Sequence, residues 1–214
     1  MQNNAARPEK NHADAALIIL ERLQTIMKPG KKTVITVAGE IASGKSVVSL
    51  ALGRLLKQNG VVSKLIDLDD FYIVPPKERR EWRQKNGLQM VGTREIDWER
   101  VKSVIGDFEN NRTSRYRSVD LLTEQVDLLE TDFSGIDVLI VHGLYALNIN
   151  QSDLKVYMEM TWTETLMIQE RSMKEIMDDF RIEVLKHEHE MVMKLKPKAD
   201  IYIDLNTALE TFHL

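Results

Sequence analysis

Between Ala13 and Met27 the apolar residues Ala16, Ile19, Leu20, Leu23, Ile26 and Met27 recur at helical steps, which predicts an amphipathic helix stopped by Pro29-Gly30. Residues 1–12 are polar and aperiodic, the pattern of a flexible tail. Thr33 to Ala38 is a β-branched run that leads through Gly39 into a second helical pattern at Val47, Val48, Leu50, Ala51, Leu55 and Leu56. Asn59-Gly60 ends that helix, and Val61 to Leu68 reads as a further strand finishing in Asp69-Asp70. Two parallel strands joined by a helix form a βαβ unit with a right-handed crossover. Residues 71–96 lose periodicity and carry Pro75 and Pro76, so they are expected to leave the sheet. Helical spacing returns over Asp97 to Phe108, and partial alternation over Thr113 to Glu130 predicts a hairpin or irregular strands.

Asp137 to His142, apolar from Val138 to Val141 and followed by Gly143, has the pattern of a central strand buried on both faces. Lys155 to Met160 and Ala199 to Asp204 read as short strands. Between them, Glu164 to Asp178 and Ile182 to Lys194 read as helices, separated by a charged joint at Asp179, Phe180 and Arg181. The alternation gives an α/β fold, a mostly parallel sheet with helices on both faces.

The 214 residues are 43% hydrophobic and 29% charged, which excludes disordered and collagen-like chains and suits one domain over residues 13–214. With no cysteine there is no disulfide framework, thiolate metal site or cysteine nucleophile. A net charge of -4 argues against a broadly basic nucleic-acid surface. No stretch near the start approaches the roughly 20 apolar residues that span a bilayer, so a soluble cytoplasmic protein is expected, with no membrane partner. A homo-oligomer is left open.

Gly39-Glu40-Ile41-Ala42-Ser43-Gly44-Lys45-Ser46 fits G-x-x-x-x-G-K-[ST], and it lies between a predicted strand and a predicted helix, the context that this motif requires. Glycines let backbone N–H groups turn around phosphate oxygens, and the helix that follows aims its positive end at them. Lys45 would neutralise the β- and γ-phosphates, and the Ser46 hydroxyl is a hard ligand suited to Mg²⁺. Gly39 through Val47 are therefore the expected ATP-binding residues. Asp69-Asp70, at the carboxyl edge of the sheet beside this loop, is either catalytic or a solvated strand-end turn.

The loop Gly39 to Ser46, the Asp69-Asp70-Phe71-Tyr72 stretch, Ile96-Asp97-Trp98, and the strand Asp137 to Val141 followed by Gly143-Leu144-Tyr145-Ala146-Leu147 together resemble the uridine kinase and phosphoribulokinase family of P-loop kinases. The similarity spans roughly Thr33 to Asp204. It implies a P-loop NTPase three-layer sandwich with an acceptor-binding excursion over residues 71–130 and a lid over residues 168–190. It also implies an ATP- and Mg²⁺-dependent kinase acting on a nucleoside or related ribose-like small molecule. By resemblance Asp69 is the carboxylate that accepts the acceptor's proton and joins Ser46 at the metal, with Asp70 able to share its role. Tyr72, Asp97, Arg115 and Tyr116 resemble acceptor-contacting residues, although Asp97 reads equally as a helix N-cap and Tyr116 as a hairpin aromatic. Arg171 and Arg181, with Lys174, would close from the lid on the transferring phosphoryl group, or else form a charged helix face.

Two positions depart from the family pattern. His142-Gly143 stands where uridine kinases end this strand in Glu-Gly, and a neutral imidazole is a poor ligand for a hard cation. Leu121 stands near the place of a hairpin histidine of pyrimidine nucleoside kinases. A nucleotide-binding protein with degenerate transfer is therefore one alternative. The basic run Lys77 to Lys85 motivates another, a phosphopentose kinase, although such a run is more often a solvated helix. His187 and His189, two apart on a helix, point to different faces and do not make a metal pair. The seven methionines between Met158 and Met193 read as packing around the lid helices.

Overall fold

The computed structural model describes residues 10–120, 123, 125–172 and 176–205. Five strands, β1 (Thr33–Gly39), β2 (Ser63–Asp67), β5 (Val138–His142), β6 (Leu154–Met158) and β7 (Ile201–Ile203), form a sheet in the order β2-β5-β1-β6-β7. Every neighbouring pair in it is parallel. Strands β3 (Thr113–Val119) and β4 (Val126–Asp132) form a separate antiparallel hairpin. The doubly covered parallel sheet expected from the sequence is what the chain adopts.

Alternation along the central strands divides the core into two layers. Ile35, Val37, Val138, Ile140, Val156 and Met158 face α1 (Lys10–Ile26) and α2 (Lys45–Gln58), where Ile19, Leu23, Leu52 and Leu56 are buried against them. Val34, Ala38, Leu139, Val141 and Tyr157 face the other way, toward α4 (Trp98–Glu109) and the C-terminal end of α6 (Asp179–Leu195). Burial on both faces explains why β1 and β5 read as continuous apolar runs.

The run Lys77 to Lys85 lies in a helix, α3 (Pro76–Asn86), as its more common reading has it, with Pro76 at its start, where the missing N–H costs nothing. The sequence reading needs three corrections. The first helix starts at Lys10, so residues 10–12 belong to it; residues 1–9 lie outside the described set. The helix expected over Glu164 to Asp178 is the shorter α5 (Leu166–Ser172). The charged joint is the first turn of α6: Asp178 caps it by accepting from the Arg181 N–H at 3.0 Å.

The first part of the excursion, residues 71–97, is closed by a narrow neck between the end of β2 and the start of α4. Ile73 N–H donates to Glu95 O at 2.8 Å, Asp97 N–H donates to Phe71 O at 2.8 Å, and Tyr72 pairs antiparallel with Ile96. The chain just after β2 is thereby held as firmly as a strand.

Candidate active site

The phosphate loop follows from β1 meeting α2. Gly44 takes φ 85°, a left-handed conformation suited to glycine, immediately before α2 opens at Lys45. Ala42 also holds a left-handed φ of 57°, a conformation that disfavours side chains other than glycine. Lys45 Nζ folds back to donate to Glu40 O at 3.1 Å, while the Ser46 side chain is exposed. Thr165 Oγ1 donates to Ile41 O at 2.9 Å, which fixes the loop against the start of α5.

β2 delivers three carboxylates to the edge of the sheet beside this loop. Asp67 caps a 3-10 turn over Leu68–Phe71 by accepting from the Asp69 N–H at 3.0 Å. Asp69 has its carboxyl pushed up to about 6, first by loss of water around it and next by Asp67, with Arg79, Lys45 and His142 opposing. Asp70 is also raised to about 6, by loss of water and by Asp67 and Asp69, although the Val119 N–H donates to it at 2.7 Å and favours the anion. Crowded beside Asp67 and each other, Asp69 and Asp70 hold their protons more tightly than either would alone.

His142 stands across from Asp67 in the β2–β5 register. It is 7% exposed, and burial followed by Lys45 lowers it to about 4, so the imidazole is neutral near pH 7. Its Nδ1, 3.7 Å from Asp67 Oδ1, is too far for a hydrogen bond and is in no ion pair while neutral. The next residue, Gly143, leaves no room for a side chain: an added Cβ would lie 2.5 Å from Leu68 Cβ. Gly143→Ala is expected to displace the Leu68–Phe71 turn that carries Asp69 and to destabilise the fold by about 1–3 kcal/mol, read by chemical denaturation.

The residues expected at the acceptor are engaged in different ways. Tyr72 is buried under the Arg79 guanidinium, whose carbon lies 3.6 Å from the ring centroid. Asp97 takes the N-cap alternative, accepting from the Arg100 N–H at 3.0 Å. Tyr116 takes the hairpin alternative: it is buried, stacks on Phe71 at 6.0 Å between centroids, and shares a hydrogen bond with Thr131 at 3.1 Å. Arg115 is exposed and pairs with Glu130 across the hairpin.

Arg181 is buried rather than displayed on a lid surface. It reaches Glu188 at 3.3 Å and belongs to a cluster in which Arg83 also holds Glu188 at 3.1 Å and Glu95 at 2.7 Å. Arg83, Glu95, Glu188 and Arg181 are all at most 5% exposed. The side chains of Arg171 and Lys174, and Leu121, lie outside the described residues.

Sequence reasoning missed Asp67, the Arg83 cluster, and the contact of Glu40 with His189. Asp67 carried a signal, since residues two apart at the end of a strand project to the same side, which put it with Asp69. The Arg83–Glu188 and Glu40–His189 contacts join residues more than 100 positions apart, and no spacing rule shows them.

Comparison with known proteins follows the same lines. The chain is 30% identical over 146 residues to the bifunctional alpha-galactosidase/sucrose kinase AgaSK of Mediterraneibacter gnavus, covering 63% of this chain and 16% of that protein. It is 27% identical over 137 residues to the uridine kinase of Ureaplasma parvum, covering 62% of this chain and 64% of that protein. The chain thus spans less than two thirds of either relative. Among solved structures, one described as a possible uridine kinase from Bacillus stearothermophilus superposes with a TM-score of 0.69 at 16% identity, covering 89% of this chain and 98% of that one. The fold is therefore shared. A sequence model of the phosphoribulokinase/uridine kinase family matches residues 34–204, from β1 to the end of β7, and the chain belongs to that family.

Proposed function

We propose that this protein is an ATP-dependent kinase that transfers the γ-phosphoryl group to a hydroxyl of a small, polyhydroxylated, sugar-like acceptor. The observation that carries the reading is Asp69: a carboxyl raised to about 6, fixed by its own backbone at the end of β2, within the electrostatic reach of the phosphate-loop lysine. A base of that pKa is poised for a proton from an acceptor hydroxyl near neutral pH. Lys45 and the loop backbone would hold the β- and γ-phosphates, and Asp69 would take the proton as the acceptor oxygen attacks.

The donors near the loop suit Mg²⁺, since the Ser46 hydroxyl and the carboxylates of Asp67 and Asp69 are hard oxygens. When bound, that ion supplies positive charge to the β- and γ-phosphate oxygens. Asp67 supplies a carboxylate beside His142, so the imidazole itself need not ligate. This favours a working kinase over a degenerate one.

A sugar-like acceptor is preferred to a nucleoside because Arg115 and Tyr116 are engaged with Glu130, Thr131 and Phe71. The similarity to a protein named for sucrose kinase activity supports the same choice. A phosphopentose is disfavoured by the basic run. Arg80 pairs with Asp178 at 2.5 Å and Arg83 is buried with Glu95, which leaves Arg79 as the guanidinium of that run nearest in effect to Asp69.

ADP formation with Mg-ATP should be followed over free mono- and disaccharides, nucleosides, phosphopentoses and pantothenate, with Lys45→Ala as the blank. A sugar at least about 100-fold above the blank is the expected result. Turnover confined to nucleosides would move the acceptor assignment, and blank-level turnover with all of them would favour the degenerate reading.

A further inference from the structure

Two adjacent side chains of α6 reach to two different parts of the molecule. Glu188 accepts from Arg83 at 3.1 Å and so joins the buried cluster that includes Glu95 at the neck of the excursion. His189, one residue on, places Nδ1 2.7 Å from Glu40 Oε1 in the phosphate loop. Successive residues on a helix point about 100° apart, so one helix can hold both neighbours at once.

Glu40 is an unexpected residue at its position. A carboxylate in a loop that receives phosphates repels its ligand unless its charge is taken up elsewhere. Here Glu40 is 2% exposed and engaged at three atoms. Its carbonyl accepts from Lys45 Nζ at 3.1 Å, Oε2 accepts from the Trp162 N–H at 2.8 Å, and Oε1 meets His189. Both carboxylate oxygens are thus bound to the segment before α5 and to α6.

We infer that Glu40 and His189 are a positioning pair through which α6 holds the phosphate loop in register with the acceptor excursion. His189 holds the nucleotide side, and Glu188 holds the excursion through Arg83 and Glu95. Ordering the loop by a nucleotide then orders residues 83–96 through a single rigid helix. The inference rests on the reading of Gly39 to Ser46 as the nucleotide site.

Amide hydrogen exchange with and without saturating Mg-ATP tests it in the wild type, His189→Ala and His189→Asn. In the wild type Mg-ATP is expected to slow exchange at residues 39–48 and also at 83–96. His189→Ala should keep the first protection, lose the second, and bind Mg-ATP about tenfold more weakly, the effect of one charge-assisted hydrogen bond. Asn can present an amide N–H where the imidazole presents Nδ1, so His189→Asn should restore both within about threefold. Glu40→Ala and His189→Ala combined should lose no more affinity than the worse single variant. His189 is 36% exposed on a helix, so its removal leaves the core intact. Protection at 83–96 that is absent in the wild type or unchanged in His189→Ala overturns the inference, as do additive losses in the double variant. Absence of protection at 39–48 as well overturns the nucleotide-site reading along with it.

Discussion

Asp69→Asn is expected to lower turnover by about 10²–10⁴-fold while making the folded protein more stable at pH 7. Both effects have one cause. Asp69 is raised from 3.8 to about 6 because the turn at the end of β2 strips water from it and sets Asp67 beside it. Between those two values the folded chain holds a proton that the unfolded chain has released. The free energy of unfolding therefore falls as pH rises from about 4 to 6, and above 6 the full cost of the anion is present. A shift of this size corresponds to roughly 2–3 kcal/mol, and because the residue is only half-buried about 2 kcal/mol is expected. Asn cannot ionise, so it escapes that cost and also cannot accept the proton. Thermal unfolding should show the variant above wild type at pH 7, with the gap closing by pH 4. The same titration should give wild-type kcat/KM a rising limb with an apparent midpoint near 6, shared between Asp69 and Asp70. A variant with near-normal turnover would remove Asp69 as the base. Equal stability at both pH values would show that the carboxyl titrates normally.

Arg83→Ala is expected to destabilise the protein by about 3–5 kcal/mol, measured as a fall in the denaturant midpoint with an unchanged slope. The cluster contains two cations, Arg83 and Arg181, and two anions, Glu95 and Glu188, none more than 5% exposed. It is neutral as a set. Loss of Arg83 leaves Arg181 with Glu188 and strands Glu95, whose remaining donor is the Gly92 N–H at 3.0 Å. An unpaired buried carboxylate is what makes the single substitution costly. Replacing Arg83, Glu95, Glu188 and Arg181 together by apolar residues of similar volume should cost far less, since the desolvation of the charges disappears with them. If the single and quadruple variants were equally destabilised, packing rather than charge would hold α3 against α6.

Much of the fold and the nucleotide half of the site were legible because they rest on local rules. The strand–glycine loop–helix from Thr33 to Gln58 and the apolar run at Val138 each declare themselves within one contiguous stretch of chain. The acceptor half was not. Helix α3 buries an arginine, and an arginine in a run of charges reads as solvated until its distant carboxylates are known. The start of α6 was hidden for a related reason: Asp178 reads as the end of the preceding helix and Asp179, Phe180 and Arg181 as a joint, whereas Asp178 is the cap that begins the helix and the joint is its first turn. Asp97 and Tyr116 each had two readings from the sequence. In the structure Asp97 caps α4 and Tyr116 packs in the hairpin, both choices set by neighbours that local spacing does not reveal.

The neck formed by Phe71–Ile73 and Glu95–Asp97 has an evolutionary consequence. Because the two ends of the excursion are clasped to each other, the segment between them can lengthen, shorten or be exchanged at little entropic cost to the sheet. New acceptor preferences could thus arise by grafting at one junction, with Asp69, the proposed base, undisturbed. Such a graft must still carry a cation to meet the buried Glu95 at the neck, since Glu188 keeps Arg181 but Glu95 has no other cation in the cluster.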